Sequence, residues 1–347
     1  MSILQAFDLS RLDTLLRPFA NRPQPLDLDR QLLALMQALH AAGLDRLPLP
    51  GQGQTLQRWQ TLARVAGADL SLAKLYEGHT DALAILAECA CAPLAGDGIW
   101  GVWAAEPPSA RVRIVARDHQ RVFLQGRKAW CSGALQIDCG LLTAWDENDQ
   151  PQLVALDLAE AGLQRVSDGW QAVGMGITAS VELELQRTPA LRVGGPGQYL
   201  RRPGFWHGGA GIAACWYGAA QALADYLREH CRQPRPDPHA EAHLGAVDAA
   251  LCGAAAALRE CAAWIDAHPL ADAEFAVRRV RAQVEEAAGQ VLTHVGRALG
   301  ATPFCRDSHF ARLSADLPVF LRQSHAERDL AQLGRQLAAG EAGGWQL

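Results

Sequence analysis

Lysine is scarce in this sequence, and several familiar signals are missing. Arginine far outnumbers lysine, its residues are scattered among acids, and the formal net charge over 347 residues is -5. Without a basic stripe or run, no nucleic-acid or polyanion partner is expected. No apolar run approaches the length that a bilayer requires, so no membrane insertion is expected either. The opening residues MSILQAFDLSRLD hold acids and no small-residue cleavage site, so no signal peptide is read there. The nine cysteines are odd in number and irregular in spacing. Cys89 and Cys91 make a C-x-C with no second half, which does not build a zinc site. Cys215, Cys252 and Cys261 sit among alanines, as free thiols do in a reducing compartment. These absences point to the cytoplasm.

What is present is ordinary globular material, 49% hydrophobic and 20% charged, in a chain long enough for two or three domains. Leu32, Leu33, Leu35, Met36 and Leu39 form one helical face that ends near Gly43. Further helices are expected over about 55–65 and 70–89. From residue 98 the period changes to two. Val112 and Ile114, then Val122 and Leu124, flank the turn Asp118-His119-Gln120, which signals a hairpin. More strands are expected at 140–145, 152–156 and 180–186, with Asp146 to Asp149 as another turn. Gly194-Gly195-Pro196-Gly197 lacks the strand and helix context of a phosphate loop and reads as a linker. Long alanine-rich helical patterns follow, around 212–227, 244–265 and 277–298. A last one begins with Asp316 as N-cap and Pro318 in the first turn. The expected class is mainly α with a central antiparallel β-domain. It comprises an N-terminal helical domain (1–97), a β-barrel-like middle domain (98–193) and a C-terminal four-helix bundle (194–347).

Three stretches at the joints carry a resemblance. Gln125-Gly-Arg-Lys128-Ala-Trp130-Cys-Ser132-Gly-Ala134, Gly174-Met-Gly176-Ile-Thr178-Ala-Ser180, and Arg297-Ala-Leu-Gly300-Ala301 with Arg312 and Asp316 after it stand in one order. In that order and spacing, over about 30–335, the sequence resembles the acyl-CoA dehydrogenase superfamily. The resemblance implies an FAD-dependent oxidoreductase acting on the CH–CH group of an acyl thioester. It places Trp130 against the flavin ring and Ser132 at its N5 edge. Ala105, in Trp103-Ala-Ala-Glu106-Pro107, stands where the family has a threonine, and Ser109-Ala-Arg111 replaces its Gly-Ser-Asp. Only backbone amides remain there for the flavin. Arg297, Gly300 and Ala301 match the pyrophosphate-binding run, with Arg297 where glutamine is common.

The proton-abstracting glutamate of the family has no counterpart. The matching position holds Ser324, and the stretch His207–Ile212, where a minority carry it, holds no acid. Serine cannot take such a proton unaided, whereas histidine is a side chain suited to act as a base at neutral pH, so Ser324 and neighbouring His325 are the candidate catalytic pair. Superfamily monooxygenases lack the glutamate and draw reduced flavin from a reductase, which makes that activity the alternative. A non-catalytic binding protein on the same scaffold is a further one. His239-Ala-Glu241-Ala-His243 puts two histidines one turn apart, but the order is not H-E-x-x-H and no third ligand is evident, so no metal site is expected. The family pairs through its C-terminal helices, so a homodimer or homotetramer is expected, with an electron acceptor or reductase as partner.

Overall fold

The computed structural model describes residues 8–21, 28–167, 169–235, 237–340 and 345. Residues 1–7, read above for a leader, lie outside the described residues. Four helices come first: α1 (Leu9–Ala20), α2 (Leu28–Ala41), α3 (Thr55–Ala68) and α4 (Leu70–Glu88). Seven strands follow: β1 (Trp100–Trp103), β2 (Val112–Asp118), β3 (Arg121–Cys131), β4 (Cys139–Trp145), β5 (Pro151–Asp157), β6 (Leu163–Val166) and β7 (Val181–Val193). Then come α5 (Gln198–Arg201), α6 (Gly204–His230), α7 (Pro238–Ala267), α8 (Glu274–Leu299), α9 (Ala301–Arg306), α10 (Ser308–Leu321) and α11 (Glu327–Ala338). Two compact units are present. One is Met1–Leu15 with Leu26–Leu47 and Lys74–Phe205; the other is Leu16–Pro25 with Pro48–Ala73 and Trp206–Leu347.

In the first unit all seven strands join one sheet, in the order β1-β4-β2-β3-β7-β5, with β6 on β7 and β5 also paired to β4. The β2–β3 hairpin turns at His119, whose φ of 53° closes the two-residue connection. At the β4–β5 turn, Asp146 accepts hydrogen bonds from the amides of Asn148 and Gln150. The alternation of β7 is as the sequence has it, with Val181, Leu183 and Leu185 buried. The antiparallel expectation needs one correction. β1 runs parallel to β4 from Trp100↔Cys139 to Trp103↔Leu142, and β2 meets β4 in parallel at Arg113↔Trp145, so the sheet is mixed. The β2–β3 hairpin intervenes between β1 and β4, and after its two reversals β4 points the way β1 does. β7 also runs further than its period-2 stretch, continuing past a bulge at Arg187 (φ 51°) to Val193.

In the second unit the apolar stripe of α8 is buried as its spacing requires, through Val277, Val280, Val284, Ala287, Val291 and Val295. Asp237 caps α7 by accepting from the His239 amide, with Pro238 in the first turn. Asp316 is not an N-cap. It is buried inside α10, whose cap is Asp307, accepting from the Phe310 amide at 2.8 Å. The stronger local cap lies nine residues earlier, and Pro318 is tolerated near the helix end, where it costs one backbone hydrogen bond. The chain then breaks at 322–326 before α11. Among the described residues no helix is long and apolar enough to cross a membrane.

Helices α3 and α6 approach closely at Gly218, where an added Cβ would run into the Ala63 carbonyl of α3. Gly218→Ala gains about 1 kcal/mol of helix propensity but forces the backbones apart. Overpacking of this kind costs about 1–3 kcal/mol, and against a rigid carbonyl it should prevail. The variant should therefore unfold at a lower urea concentration than the parent.

Candidate functional site

The strand that carries the resemblance is broken by a bulge. β3 pairs with β7 up to Lys128↔Leu183 and resumes at Cys131↔Val181, leaving Ala129 and Trp130 unpaired by the ladder. Trp130 takes φ 61°, a conformation bulky residues avoid at a cost of about 1–3 kcal/mol. The distortion turns its indole outward, 56% exposed, while Ala129 and Cys131 on either side are buried. Trp170 supports it edge-on, with ring centroids 6.3 Å apart. Bulges of this sort re-aim side chains beside functional sites, and the result here is an apolar plate facing away from the sheet.

Ser132 follows at once. Its carbonyl accepts the indole N–H of Trp103 at 3.1 Å, which ties the end of β1 to this turn. Its Oγ lies 2.7 Å from Ser180 Oγ, which lies 3.0 Å from Thr178 Oγ1, which donates to the Met175 carbonyl at 2.8 Å. The proton order follows from the last link. A carbonyl only accepts, so the single hydroxyl proton of Thr178 is committed there. Ser180 then donates to Thr178, and Ser132 to Ser180. Ser132 Oγ is left with lone pairs and no proton to offer.

Ala105 lies in the exposed turn that follows β1, next to Glu106. That turn is fastened from beneath by Lys128, which is fully buried. The ammonium donates to Glu106 Oε1 at 2.7 Å, to Thr143 Oγ1 at 2.7 Å and to the Thr143 carbonyl at 3.2 Å. Thr143 Oγ1 and the Trp145 indole N–H also donate to the Glu106 carboxylate. Burial pulls the Lys128 pKa down, and the bond to Glu106 and its charge oppose that. Ala105, Trp130 and Ser132 thus lie on connected elements of one unit.

A second buried cluster in this unit was not anticipated. Asp45 Oδ2 accepts from His40 Nδ1 at 2.7 Å and His79 Nε2 at 2.9 Å. His79 Nδ1 in turn accepts the Trp100 amide at 3.1 Å, at the start of β1. The three side chains could be read as metal ligands, but the backbone bond argues otherwise. A metal on Nε2 would drive the ring proton to Nδ1, against the Trp100 N–H, whereas metal-bound histidines donate from their second nitrogen. The cluster is a clamp on β1, joined across more than thirty residues of chain, which is why no local motif announced it.

In the second unit, Ser324 and His325 fall in the turn before α11. Buried Ser324 accepts the Ala326 amide at 3.0 Å. The His325 ring is mostly exposed and stands 4.0 Å from Asp329, which Arg278 holds at 2.5 Å. Arg297 is exposed on the last turn of α8, Gly300 ends that helix with φ 63°, and Ala301 opens α9. Beside them an open cavity of about 700 Å³ is lined by Tyr226, Arg232, Leu299, Thr302, Arg306 and Asp307. At its wall, Tyr226 Oη lies 2.9 Å from Asp307 Oδ1 and 3.0 Å from His309 Nδ1. His309 Nε2 donates to the Gly67 carbonyl at 2.9 Å. Burial pushes the Tyr226 pKa up, helped by Asp307, and burial pulls that of His309 down.

No protein-family model and no curated protein matches the sequence. Solved structures do match the fold. The methanesulfinate monooxygenase MsuC of Pseudomonas fluorescens superposes with a TM-score of 0.78 at 18% identity, covering 96% of this chain and 97% of that one. FMN-bound TdsC of a Paenibacillus species gives 0.76 at 18% identity, covering 94% of each. A "probable acyl CoA dehydrogenase" of Mycobacterium abscessus gives 0.76 at 16% identity, covering 94% of this chain and 98% of that one. The chain has the acyl-CoA dehydrogenase-like fold.

Two outcomes are expected from these sites. Trp130→Gly relieves the positive φ but loses the contact with Trp170, worth about 0.5–1.5 kcal/mol. The thermal midpoint should therefore change little, and a large fall would mean that the exposed indole is structural. Asp45 should matter to acid stability. Burial raises its pKa, but the hydrogen bonds and charges of His79 and His40 outweigh this and hold it below the ordinary 3.8. A depressed carboxyl contributes stability that is present above its unfolded pKa and lost as pH falls through the folded one. Asp45→Asn should therefore destabilise by about 1.5–3 kcal/mol near neutrality, and the gap to the parent should close in urea titrations below pH 3.8.

Proposed function

We propose that this protein is a flavin-dependent monooxygenase of a small organic substrate, built on the acyl-CoA dehydrogenase-like fold. The observation that carries the reading is the one-way hydroxyl chain from Ser132 to the Met175 carbonyl. Reduced flavin carries an N–H at N5 where oxidised flavin has a bare acceptor. An acceptor at Ser132 suits the reduced form, the form a monooxygenase receives from a reductase. When bound, the flavin supplies the activation of oxygen. Trp130 offers it an apolar surface, and the backbone at Ala105, braced by Lys128 and Glu106, offers amides. His325 is the candidate proton donor and acceptor, with Ser324 beside it in sequence.

Dehydrogenation of an acyl thioester is the second reading, and it ranks lower. It needs a carboxylate base, and neither Ser324 nor the stretch 207–212 supplies one. Among the proteins of this fold, MsuC is described as a methanesulfinate monooxygenase and TdsC as a dibenzothiophene monooxygenase. TdsC is described with FMN. We retain FAD as the proposed cofactor because the cavity beside Gly300 and Ala301 holds two arginines, suited to the pyrophosphate of a dinucleotide. Assembly as a homo-oligomer and a reductase partner belong to the same proposal.

The test is an anaerobic titration with oxidised and photoreduced FMN and FAD. Reduced flavin should bind more tightly, and FAD more tightly than FMN. Thr178→Val removes the terminal link and frees Ser180 to donate toward Ser132. It should narrow the preference for reduced flavin by about fivefold, the worth of one neutral hydrogen bond. An oxidised flavin that copurifies and is bleached by acyl-CoA would replace this reading with the dehydrogenase.

A further inference from the structure

The sequence sets His239 and His243 one turn apart on α7, yet the side chain that meets His243 comes from another helix. His239 is exposed, whereas His243 is half-buried and faces His294 of α8. Their Nδ1 atoms lie 2.9 Å apart, with ring centroids at 5.1 Å and planes inclined by 56°. Two neutral imidazoles can hold this contact only when one gives its Nδ1 proton to the other. A metal ion can take the place of that proton. With metal–nitrogen bonds of about 2.0–2.1 Å, two ligands at a right angle are about 2.9 Å apart, and two at the tetrahedral angle about 3.4 Å. The observed separation fits the right angle.

We propose that His243 and His294 form a cross-helix site for a divalent transition metal that favours square-planar or octahedral coordination, Cu²⁺ or Ni²⁺. Both Nδ1 atoms ligate, and water fills the remaining positions. The scaffold is already set. Val247, one turn from His243, and Val291 and Val295, beside His294, are buried along α7 and α8. The half-exposure of the rings admits an ion without opening the helix pair. Among the described residues no third histidine, cysteine or acid completes a cluster here, so the site has two protein ligands and binds reversibly. Ligation through both Nδ1 atoms leaves the proton of each neutral ring on Nε2, so the proton shared in the empty pair moves to the far nitrogen of its own ring.

The experiment is calorimetric titration of the full-length protein, stripped with EDTA, using CuCl₂ and NiCl₂, with electron paramagnetic resonance of the copper form. One equivalent should bind, Cu²⁺ more tightly than Ni²⁺ or Zn²⁺, with hyperfine structure from equatorial nitrogen. His243→Ala and His294→Ala should each lose it, and His239→Ala should keep it. His294→Gln serves as a second variant should alanine disturb the helices, as circular dichroism would show. Binding unchanged in the His243 and His294 variants would place the ion elsewhere and overturn the proposal, as would no binding by the parent.

Discussion

An ammonium group that water does not reach sets the terms for the β-unit. A buried charge is tolerated only with an opposite charge and with every donor satisfied, and Lys128 meets both conditions through Glu106 and two atoms of Thr143. Those partners come from the turn after β1 and from β4. The requirement therefore fixes three segments at once: β3, the Ala105–Glu106 turn and the middle of β4. The bulge begins one residue after Lys128. Because the lysine cannot shift register without stranding its charge, the irregularity falls on Ala129 and Trp130, and the indole is expelled to the surface.

Much of the fold could be read from residue order. The β2–β3 hairpin, the Asp146 turn, the alternation of β7 and the valine stripe of α8 are local patterns, and local patterns survive in one dimension. Others did not. β1 is four residues, Trp100-Gly-Val-Trp103, too short to show a period, and its parallel partner lies beyond an intervening hairpin. Asp316 reads as a cap beside Pro318, but the helix is already started by Asp307 nine residues earlier, which leaves Asp316 in its interior. Trp130 and Ser132 were singled out by resemblance, but nothing in Arg-Lys-Ala-Trp-Cys, with no glycine at 130, foretells a left-handed backbone there. The His40–Asp45–His79 clamp and the His243–His294 pair join residues far apart in sequence, where no spacing rule reaches.

The functional reading rests on directionality rather than on the presence of particular groups. Serine and threonine hydroxyls can point either way, and an isolated Ser132 would serve oxidised and reduced flavin alike. It is the carbonyl of Met175, at the far end of the chain of hydroxyls, that chooses for it. On the proposed reading, a carbonyl at the far end of a chain of hydroxyls biases the redox state that the site prefers.

The isolation of Lys128 has a practical side. The sequence has just two lysines, Lys74 and Lys128, and each is committed to a glutamate, Glu77 and Glu106. Reagents that acylate amines thus find very little to attack on the folded chain. Lys128 can react only during excursions that uncover it, so its acylation rate is a clock for the opening of the β-unit. The protein carries a built-in probe of its own breathing, at the residue that holds the Ala105–Glu106 turn in place.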